Sequence, residues 1–326
     1  MHRPLFYFLV LVILFFSPST AIADGTITDW EGTSITMTEG FVDSDGVAIN
    51  YHTAGEGPLI ILVHGLNADW WDYHNQIPSL ATRFQVVAMS TRGTGKSDKP
   101  DGVQQYNVSK TAGDIAALIG HFNQESAVIV GQDAGGFHAW NFAMTYPEKT
   151  DALIAMGSYH PAGLIRGLAS NPDQQEAATF QRNLQENPDA AAQYAERRQI
   201  APDAEPRPGE SPEVFRLRVE STQLTSTDAL VNFFKANWPP APFNLETVGF
   251  GHTIDDFPPV QSPTLVIHGK EDGILLLGGL NDLWARIDSD LTLHVLPDVG
   301  HGPHTQVPEF VTPRIMTWLD KQNIGS

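Results

Sequence analysis

Asp133 lies in a stretch, residues 128–136, whose residue types and spacing could do chemistry. A β-branched run ends at Gly131, and Gly131 and Gly135 stand two positions before and two positions after Asp133. Small residues at these positions allow a strand to turn sharply into a helix, which presents the side chain between them. We therefore predict that Asp133 is a nucleophile; its alternative role at such a turn is that of a helix N-cap.

Two further residues each follow a predicted strand, Asp272 in a turn-rich segment and His301 between two glycines. Because the carboxyl ends of parallel strands meet at one edge of a sheet, both are expected to approach Asp133. His301, oriented by the carboxylate of Asp272, could act as a general base. Other residues remain alternatives for these two roles: Glu271 for the acid, and His268 and His304 for the base.

A carboxylate nucleophile restricts the possible reactions. Attack on an ester carbonyl would give an anhydride that readily expels the nucleophile, whereas attack on an sp³ carbon gives a stable alkyl ester. His301 could activate water to hydrolyse that ester, with the oxyanion bound by the backbone N–H groups of Leu66 and Ala134. The nearby His64 is expected to be structural. Epoxides and organohalides contain a carbon of the required kind.

The elements that must position these residues follow from hydrophobic periodicity. Short apolar runs predict buried strands at residues 59–63, 84–89, 128–130, 152–156, 263–269 and 291–297. Amphipathic helices are predicted at residues 108–122 and 308–321. This alternation indicates an α/β fold with a mostly parallel central sheet and helices on both faces. The ordered fold is expected to begin with an edge strand at residues 47–52, after residues 24–45, which are interpreted as an exported lead-in or an irregular first strand.

Residues 161–251 have a different composition. Ala, Gln, Glu, Asn and Arg accumulate there, apolar residues recur at helical spacing, and three Pro-rich breaks divide the segment. We predict that it is a helical cap inserted into the core. The core domain then comprises residues 24–160 and 252–326, which is long enough to bury one large hydrophobic core.

Residues 1–23 are typical of a cleavable signal peptide. His2 and Arg3 precede an apolar run of about a dozen residues, which is shorter than the roughly 20 residues needed to span a bilayer, and an Ala-x-Ala end follows. We predict cleavage after Ala23 and an exported, periplasmic or secreted protein, with no membrane association after cleavage.

Composition excludes several classes of function. The chain contains no cysteine, so thiol nucleophiles, disulfides and thiolate zinc sites are excluded. Its formal net charge of −19 disfavours nucleic acid and anionic ligands as partners. No metal or nucleotide motif is present, and no cofactor is expected. The expected partners are a small, neutral, apolar substrate and water.

The sequence resembles the α/β-hydrolase superfamily, and within it the epoxide hydrolase and dehalogenase branch that uses an Asp nucleophile. The resemblance lies in residues 131–135, in residues 92–100 and in residues 300–304, and it covers the predicted core. It implies the α/β-hydrolase fold, a triad of Asp133, Asp272 and His301, and an alkyl-enzyme ester on Asp133. Epoxide hydrolysis is the first expectation, haloalkane or haloacetate dehalogenation the alternative, and a non-catalytic ligand-binding homologue the second alternative.

The chain departs from that branch in its cap and in its oxyanion loop. Asn67 stands where the family usually has Pro. Phe180 and Phe234 occupy the positions that look most like the two cap tyrosines of epoxide hydrolases, and Phe cannot donate a proton. The residues that could replace these tyrosines are Tyr194, Tyr159 and His160.

The features that mark dehalogenases are also altered. Haloalkane dehalogenases usually place Trp directly after the nucleophile, where this chain has Ala134, and the Arg residues of haloacetate dehalogenases are missing from residues 134–138. Trp70 and Trp238 are the tryptophans most expected in the pocket, where an indole N–H could bind a halide.

Overall fold

A central β-sheet organises the computed structural model, which describes residues 22–201, 203–207 and 209–325. The strands are β1 (Ile22–Thr28), β2 (Ser34–Ser44), β3 (Val47–Ala54), β4 (Leu59–Val63), β5 (Gln85–Met89), β6 (Ala127–Gln132), β7 (Thr150–Met156), β8 (Thr264–Gly269) and β9 (Leu291–Leu296). Within the described residues they form one nine-stranded sheet in the order β1-β2-β3-β5-β4-β6-β7-β8-β9.

The sheet is antiparallel at one side and parallel elsewhere. β1, β2, β3 and β5 pair antiparallel in turn, whereas β5, β4, β6, β7, β8 and β9 pair parallel. The central strands are continuous apolar runs because both of their faces are covered. The predicted mostly parallel sheet of an α/β fold is confirmed.

Helices cover both faces of the sheet. They are α1 (Ile77–Leu80), α2 (Val108–His121), α3 (Ala134–Thr145), α4 (Pro161–Ser170), α5 (Pro172–Ala177), α6 (Thr179–Glu186), α7 (Ala190–Arg198), α8 (Pro212–Leu224), α9 (Thr227–Asn237), α10 (Pro303–Gln306) and α11 (Pro308–Lys321). Short 3₁₀ helices lie at Trp70–Tyr73, Val103–Tyr106, Pro147–Lys149, Leu277–Leu280 and Leu283–Arg286. No helix of the described residues is long and apolar enough to cross a membrane.

The core consists of two layers, one on each side of the sheet. Along β4, Ile61 and Val63 belong to the layer under α2 and α3, whereas Ile60 and Leu62 belong to the layer under α1 and α11. This division follows from the period of two of a strand, which sends successive side chains to opposite faces. The parallel strands therefore end together at one edge, between two packed layers.

The expectation that the ordered fold begins near Val47 with an edge strand is wrong. β1 and β2 precede it, and β3 lies inside the sheet, paired with β2 on one side and β5 on the other. Ile27 and Met37 anchor the added strands because both side chains are fully buried. The many Thr, Ser, Asp and Gly residues of this segment weaken the alternation on which a strand prediction depends.

The predicted signal peptide falls largely outside the described residues, which begin at Ile22. The predicted cleavage position, after Ala23, lies within β1, where Ile22 pairs with Glu39 and Ala23 with Thr38. Export of the chain stays a prediction.

Helices α4 to α9 separate β7 from β8 and lie over the carboxyl edge of the sheet. Polar side chains hold them to the core. Asn237 at the end of α9 donates to the Tyr106 carbonyl and accepts from the Val108 N–H, both at 2.8 Å. Trp71 donates to the Ser221 hydroxyl of α8 at 2.9 Å.

Candidate active site

Asp133 lies on a sharp turn between β6 and α3. Its backbone has φ 52° and ψ −119°, a strained conformation for a residue other than glycine. A Cβ atom on Gly131 would lie 2.2 Å from the Gly135 carbonyl oxygen, and one on Gly135 would lie 2.0 Å from the Val63 carbonyl oxygen. The glycines that suggested this turn are therefore required by close backbone packing. The Asp133 side chain makes no N-cap hydrogen bond to α3.

His301 connects two carboxylates. Its Nε2 lies 3.0 Å from Asp133 Oδ2 and its Nδ1 lies 2.8 Å from Asp272 Oδ2. The other oxygen of Asp272 accepts the backbone N–H groups of Ile274 and Leu275 at 2.8 and 3.0 Å, which fixes the carboxylate. An imidazole held in this way has one nitrogen oriented by an acid and the other directed at a potential nucleophile.

The alternatives to Asp272 and His301 have other surroundings. Glu271 is exposed. His268 is buried, and its Nε2 lies 2.8 Å from the Leu275 carbonyl oxygen. His304 pairs with Asp72 at 3.0 Å. None of these three side chains lines the cavity at Asp133 described below.

Two backbone N–H groups point at the Asp133 carboxylate. The Leu66 N–H donates to Asp133 Oδ1 at 2.8 Å, and the adjacent Ala134 N–H lies close enough to help lower the pKa of this carboxylate. His64 supports the loop that carries Leu66, because its Nδ1 lies 2.8 Å from the Gly65 carbonyl oxygen and its Nε2 accepts the Thr91 N–H at 3.1 Å. His64 thus has both nitrogens engaged in holding backbone, as expected for a structural histidine.

The loop at residues 92–100 also holds backbone in place. Arg92 forms a buried ion pair with Asp114 of α2, with Nε 2.8 Å from Oδ2. Ser97 donates to the Ser90 carbonyl at 2.7 Å, and Asp98 accepts the Ala48 N–H at 2.8 Å. This loop fixes the ends of the strands beside the loop that carries Leu66. None of its residues lines the cavity at Asp133.

Asp133 and His301 shift each other's pKa, and the charge of Asp272 adds to the shift of His301. Burial alone would lower the pKa of His301, but its hydrogen bonds to Asp133 and Asp272 and their charges raise it to about 10. Burial alone would raise the pKa of Asp133, but His301 and the N–H groups of Leu66 and Ala134 outweigh burial and lower it. At neutral pH Asp133 is therefore an anion beside an imidazolium.

A cavity of about 170 Å³ opens onto Asp133 and His301. Its walls come from the oxyanion loop, the first turn of α3, the cap and the segment after β8. The lining residues are Leu66, Asn67, Asp133, Ala134, Phe137, Phe180, Gln181, Phe233, Phe234, Trp238, Ile274, Leu275 and His301. This volume is below the roughly 300–1,000 Å³ of pockets for drug-sized ligands, so the cavity suits a small, largely apolar molecule.

The cap contributes mostly aromatic side chains. Phe180, Phe234 and Trp238 all line the cavity, as the sequence led us to expect. The indole Nε1 of Trp238 is buried and has no hydrogen-bond partner among the described residues. The rings pack against each other edge to face, with Phe234 and Trp238 5.6 Å apart.

Tyr194 stands behind Phe180, with the two ring centroids 5.2 Å apart. Its hydroxyl is buried and faces Asn67, beyond the reach of a well-formed hydrogen bond. Burial is the main cause that raises the pKa of Tyr194 to about 12, and the charge of Asp133 adds to the rise. The phenol is therefore protonated at neutral pH and lies within electrostatic range of Asp133.

None of the three proposed proton donors lines the cavity at Asp133. Tyr194 contacts the lining residue Phe180, whereas Tyr159 and His160 lie in the core, which corrects the expectation for both. The Tyr159 hydroxyl is fully buried and donates to Gln174 Oε1 at 3.0 Å. His160 caps α4 by accepting the Ala162 N–H at 3.1 Å, and its ring packs against Trp140 and Phe257. Both residues follow β7, where the chain enters the cap, and their side chains turn into the core.

Trp70 does not line the cavity at Asp133 either. It lies in the 3₁₀ helix Trp70–Tyr73, and its ring stacks on His52 with centroids 3.8 Å apart. It lines a separate small cavity next to Asn50 and Asp69, under the antiparallel strands. The expectation that Trp70 is a pocket member is corrected because its side chain leaves the 3₁₀ helix toward β3.

Sequence reasoning did not single out Gln181, although this residue lines the cavity. Gln181 and Leu184 are buried and share one face of α6, three residues apart. A polar residue on the apolar face of a predicted amphipathic helix was the signal that could have found it. Phe233 of the cap and Ile274 and Leu275 of the segment after β8 were also missed, because single apolar residues give no local sign of facing a ligand.

A family model described as the alpha/beta hydrolase fold matches residues 58–306. The AB hydrolase superfamily protein YfhM of Bacillus subtilis is 40% identical over 124 residues, which are 37% of this chain and 43% of that relative. The matched stretch thus spans less than half of that relative's length.

Two further comparisons extend over more of the chain. Epoxide hydrolase 1 of Caenorhabditis elegans is 24% identical over 298 residues, which cover 84% of this chain and 68% of that protein. The crystal structure of a mutant epoxide hydrolase from Bacillus megaterium, complexed with a diol product, superposes with a TM-score of 0.77 at 22% identity. That match covers 86% of this chain and 100% of the other. The predicted membership of the α/β-hydrolase superfamily is confirmed, and proteins named as epoxide hydrolases are among the relatives.

Proposed function

The chain belongs to the family of proteins with the α/β hydrolase fold, and we propose that within it the protein hydrolyses a small neutral epoxide through an ester on Asp133. The single observation that carries this proposal is the geometry of His301, 3.0 Å from Asp133 and 2.8 Å from Asp272. The relatives named as epoxide hydrolases support the choice of substrate class.

In the first step, Asp133 attacks an epoxide carbon. A bond forms between the carboxylate oxygen and that carbon, the ring C–O bond breaks, and its electron pair stays on the leaving oxygen. The lowered pKa of Asp133 keeps the carboxylate ionised for this attack. The leaving oxygen needs a proton, and Tyr194 is the donor we propose, because its phenol is protonated and lies near Asp133.

In the second step, His301 activates water. Esterification removes the negative charge of Asp133, one of the two carboxylates that raise the pKa of His301, so the imidazolium can release its proton to solvent water, from which the Tyr194 phenolate is reprotonated. The neutral imidazole, oriented by Asp272, then takes a proton from water that attacks the ester carbonyl. The N–H groups of Leu66 and Ala134 bind the oxyanion, and the diol leaves.

The test is to trap the ester. In His301→Gln, attack by Asp133 remains possible but the base for hydrolysis is lost, so incubation with a small epoxide should add the epoxide's mass to the chain. Intact-mass spectrometry measures the adduct, and peptide mapping locates it. Asp133→Ala in the same background is the control and should stay unmodified. If neither epoxides nor haloalkanes form an adduct, the catalytic proposal is wrong and a ligand-binding role takes its place.

A small haloalkane is the second candidate substrate, and Trp238 is the observation that favours it. Trp238 lines the aromatic cavity at the nucleophile and its buried N–H has no partner among the described residues, and a leaving halide needs a hydrogen bond but no proton. The two candidates share the ester and differ in product. Turnover that releases halide and forms no diol from epoxides would replace the epoxide proposal with this one.

A further inference from the structure

Gln181 is a buried polar side chain in an otherwise largely apolar part of the cavity. Only 6% of the residue is exposed, and it lines the same cavity as Asp133 and His301. Its Oε1 is buried without a hydrogen-bond partner, and within the described residues its Nε2 donates to no protein group. Phe180, Phe234 and Trp238 surround it in the cap wall. The carboxamide is therefore directed to a space that holds the nucleophile.

Two other glutamines of the cap, the buried Gln174 and the half-buried Gln185, behave differently. Gln174 accepts from Tyr159 and from the Leu276 N–H, and donates to the Ile274 carbonyl at 2.9 Å. Gln185, one turn after Gln181 on α6, donates to the carbonyls of Phe234 and Trp238 at 3.2 and 2.9 Å. Both hold the cap together through their amides. Gln181 does not take part in that structural network.

A buried amide without a protein partner lowers stability, because its desolvation is not compensated. An apolar side chain of the same length would fill the position without that loss. A buried amide without a protein partner is advantageous only where a bound ligand supplies the missing hydrogen-bond partner. The ligand atom that most needs a hydrogen-bond donor in this cavity is the one that gains negative charge when Asp133 attacks.

We propose that the Gln181 carboxamide donates a hydrogen bond from Nε2 to the leaving oxygen while the ring C–O bond breaks; this rests on the proposed function. The bond from Asp133 to carbon forms, the ring C–O electron pair moves to oxygen, and the proton comes from Tyr194, which is later reprotonated by water. The amide keeps its own protons because it is not acidic. Gln181 and the Trp238 N–H thus stabilise developing charge, while Tyr194 neutralises it.

The test measures ester formation with 1,2-epoxybutane in the His301→Gln background, by rapid quench and intact mass. Adding Gln181→Met, which keeps the length of the side chain and removes the amide, should slow ester formation by roughly 10- to 100-fold at saturating epoxide. The epoxide concentration that gives half the maximal rate should change much less. Gln181→Asn, which keeps the amide but withdraws it by one methylene, should react at an intermediate rate.

Thermal unfolding separates this role from a structural one. Gln181→Met removes no hydrogen bond to the protein, so its melting temperature should equal or exceed that of its parent. The matched control Gln185→Met loses the bonds to Phe234 and Trp238 and should melt at a lower temperature.

Each unexpected result of these experiments leads to a different conclusion. A Gln181→Met variant that forms the ester as fast as its parent overturns this inference and leaves the proposed function intact. The inference is also overturned if Gln181→Met lowers the melting temperature as much as Gln185→Met does and Gln181→Asn slows ester formation as much as Gln181→Met does. Gln181 would then have a structural role in the cap. A His301→Gln parent that forms no ester overturns the proposed function and this inference with it.

Discussion

His301 lies between two carboxylates that are fixed by different means. Asp272 is held by two backbone N–H groups and keeps its charge throughout the proposed cycle, whereas Asp133 loses its charge on alkylation. The same imidazole is therefore a cation in the free enzyme and a base in the ester. The change needs no movement of His301, because it follows from the loss of one neighbouring charge.

This pairing predicts how stability depends on pH. The folded protein keeps a proton on His301 up to a pKa of about 10, whereas the unfolded chain releases it near the ordinary value of 6.5. Above pH 6.5 the folded state binds more protons than the unfolded state, so the free energy of unfolding should fall as pH rises toward 10, by roughly 1–3 kcal/mol. Below pH 6.5 the contribution is fully present.

Urea unfolding at pH 7, 8.5 and 10 measures this dependence. His301→Gln is the control, because a glutamine has no proton to release in this range, and its curve should be flatter than that of the natural chain. Equal pH dependence in both proteins would show that the two carboxylates do not hold a proton on His301.

At the scale of elements, the turn between β6 and α3 depends on close backbone approach. Gly131 lets the end of β6 contact the first turn of α3, and Gly135 lets that turn lie against the end of β4. The same contacts keep the Ala134 N–H beside the Asp133 carboxylate. The strain at Asp133 is thus maintained by packing on both sides of it.

Gly135→Ala should lower the free energy of unfolding by about 2 kcal/mol or more, because the new methyl would meet the rigid Val63 carbonyl. Activity should fall with it, since Ala134 would shift. Gly113→Ala in α2 is the matched control: no atom lies within 4 Å of its Cβ position, and it should be neutral or stabilising by up to about 1 kcal/mol. Urea melts of both variants measure the difference, and equal stabilities would contradict this account of the turn.

At the scale of the whole molecule, the core domain and the cap of an acidic protein enclose a small aromatic cavity. The net charge of −19 repels anions at long range, which agrees with the neutral substrate we propose. Asn237 and the contact of Arg198 with Asn67, at 2.9 Å, hold the cap to the core on either side of the cavity. Cap and core therefore define the site together.

We also propose that the chain is exported, on the support of its cationic start and its apolar run of about a dozen residues. Cleavage after Ala23 would remove two paired residues of β1 and leave the pairs of Thr26 to Thr28 and the buried Ile27. The sheet should therefore stay intact. N-terminal sequencing of the native protein should find Asp24 first; a chain that keeps residues 1–23 inside the producing cell would contradict export.

The sequence by itself determined the features that depend on local pattern. Apolar runs located the strands of the parallel sheet, and the glycines around Asp133 predicted the strained turn. Asp272 and His301 each follow a predicted strand, in the order that the resemblance to the α/β-hydrolases implies, so the triad could also be predicted.

Only the tertiary structure decided which side chains face the cavity. Trp70 and Trp238 were equal candidates in the sequence, yet Trp70 stacks on His52 whereas Trp238 lines the site. Tyr159 is bound by Gln174, and Gln181 lines the cavity from α6 although its sequence context did not single it out. The physical reason is that the direction of a cap side chain depends on how its helix packs against distant segments. That packing leaves no periodic signal in the chain.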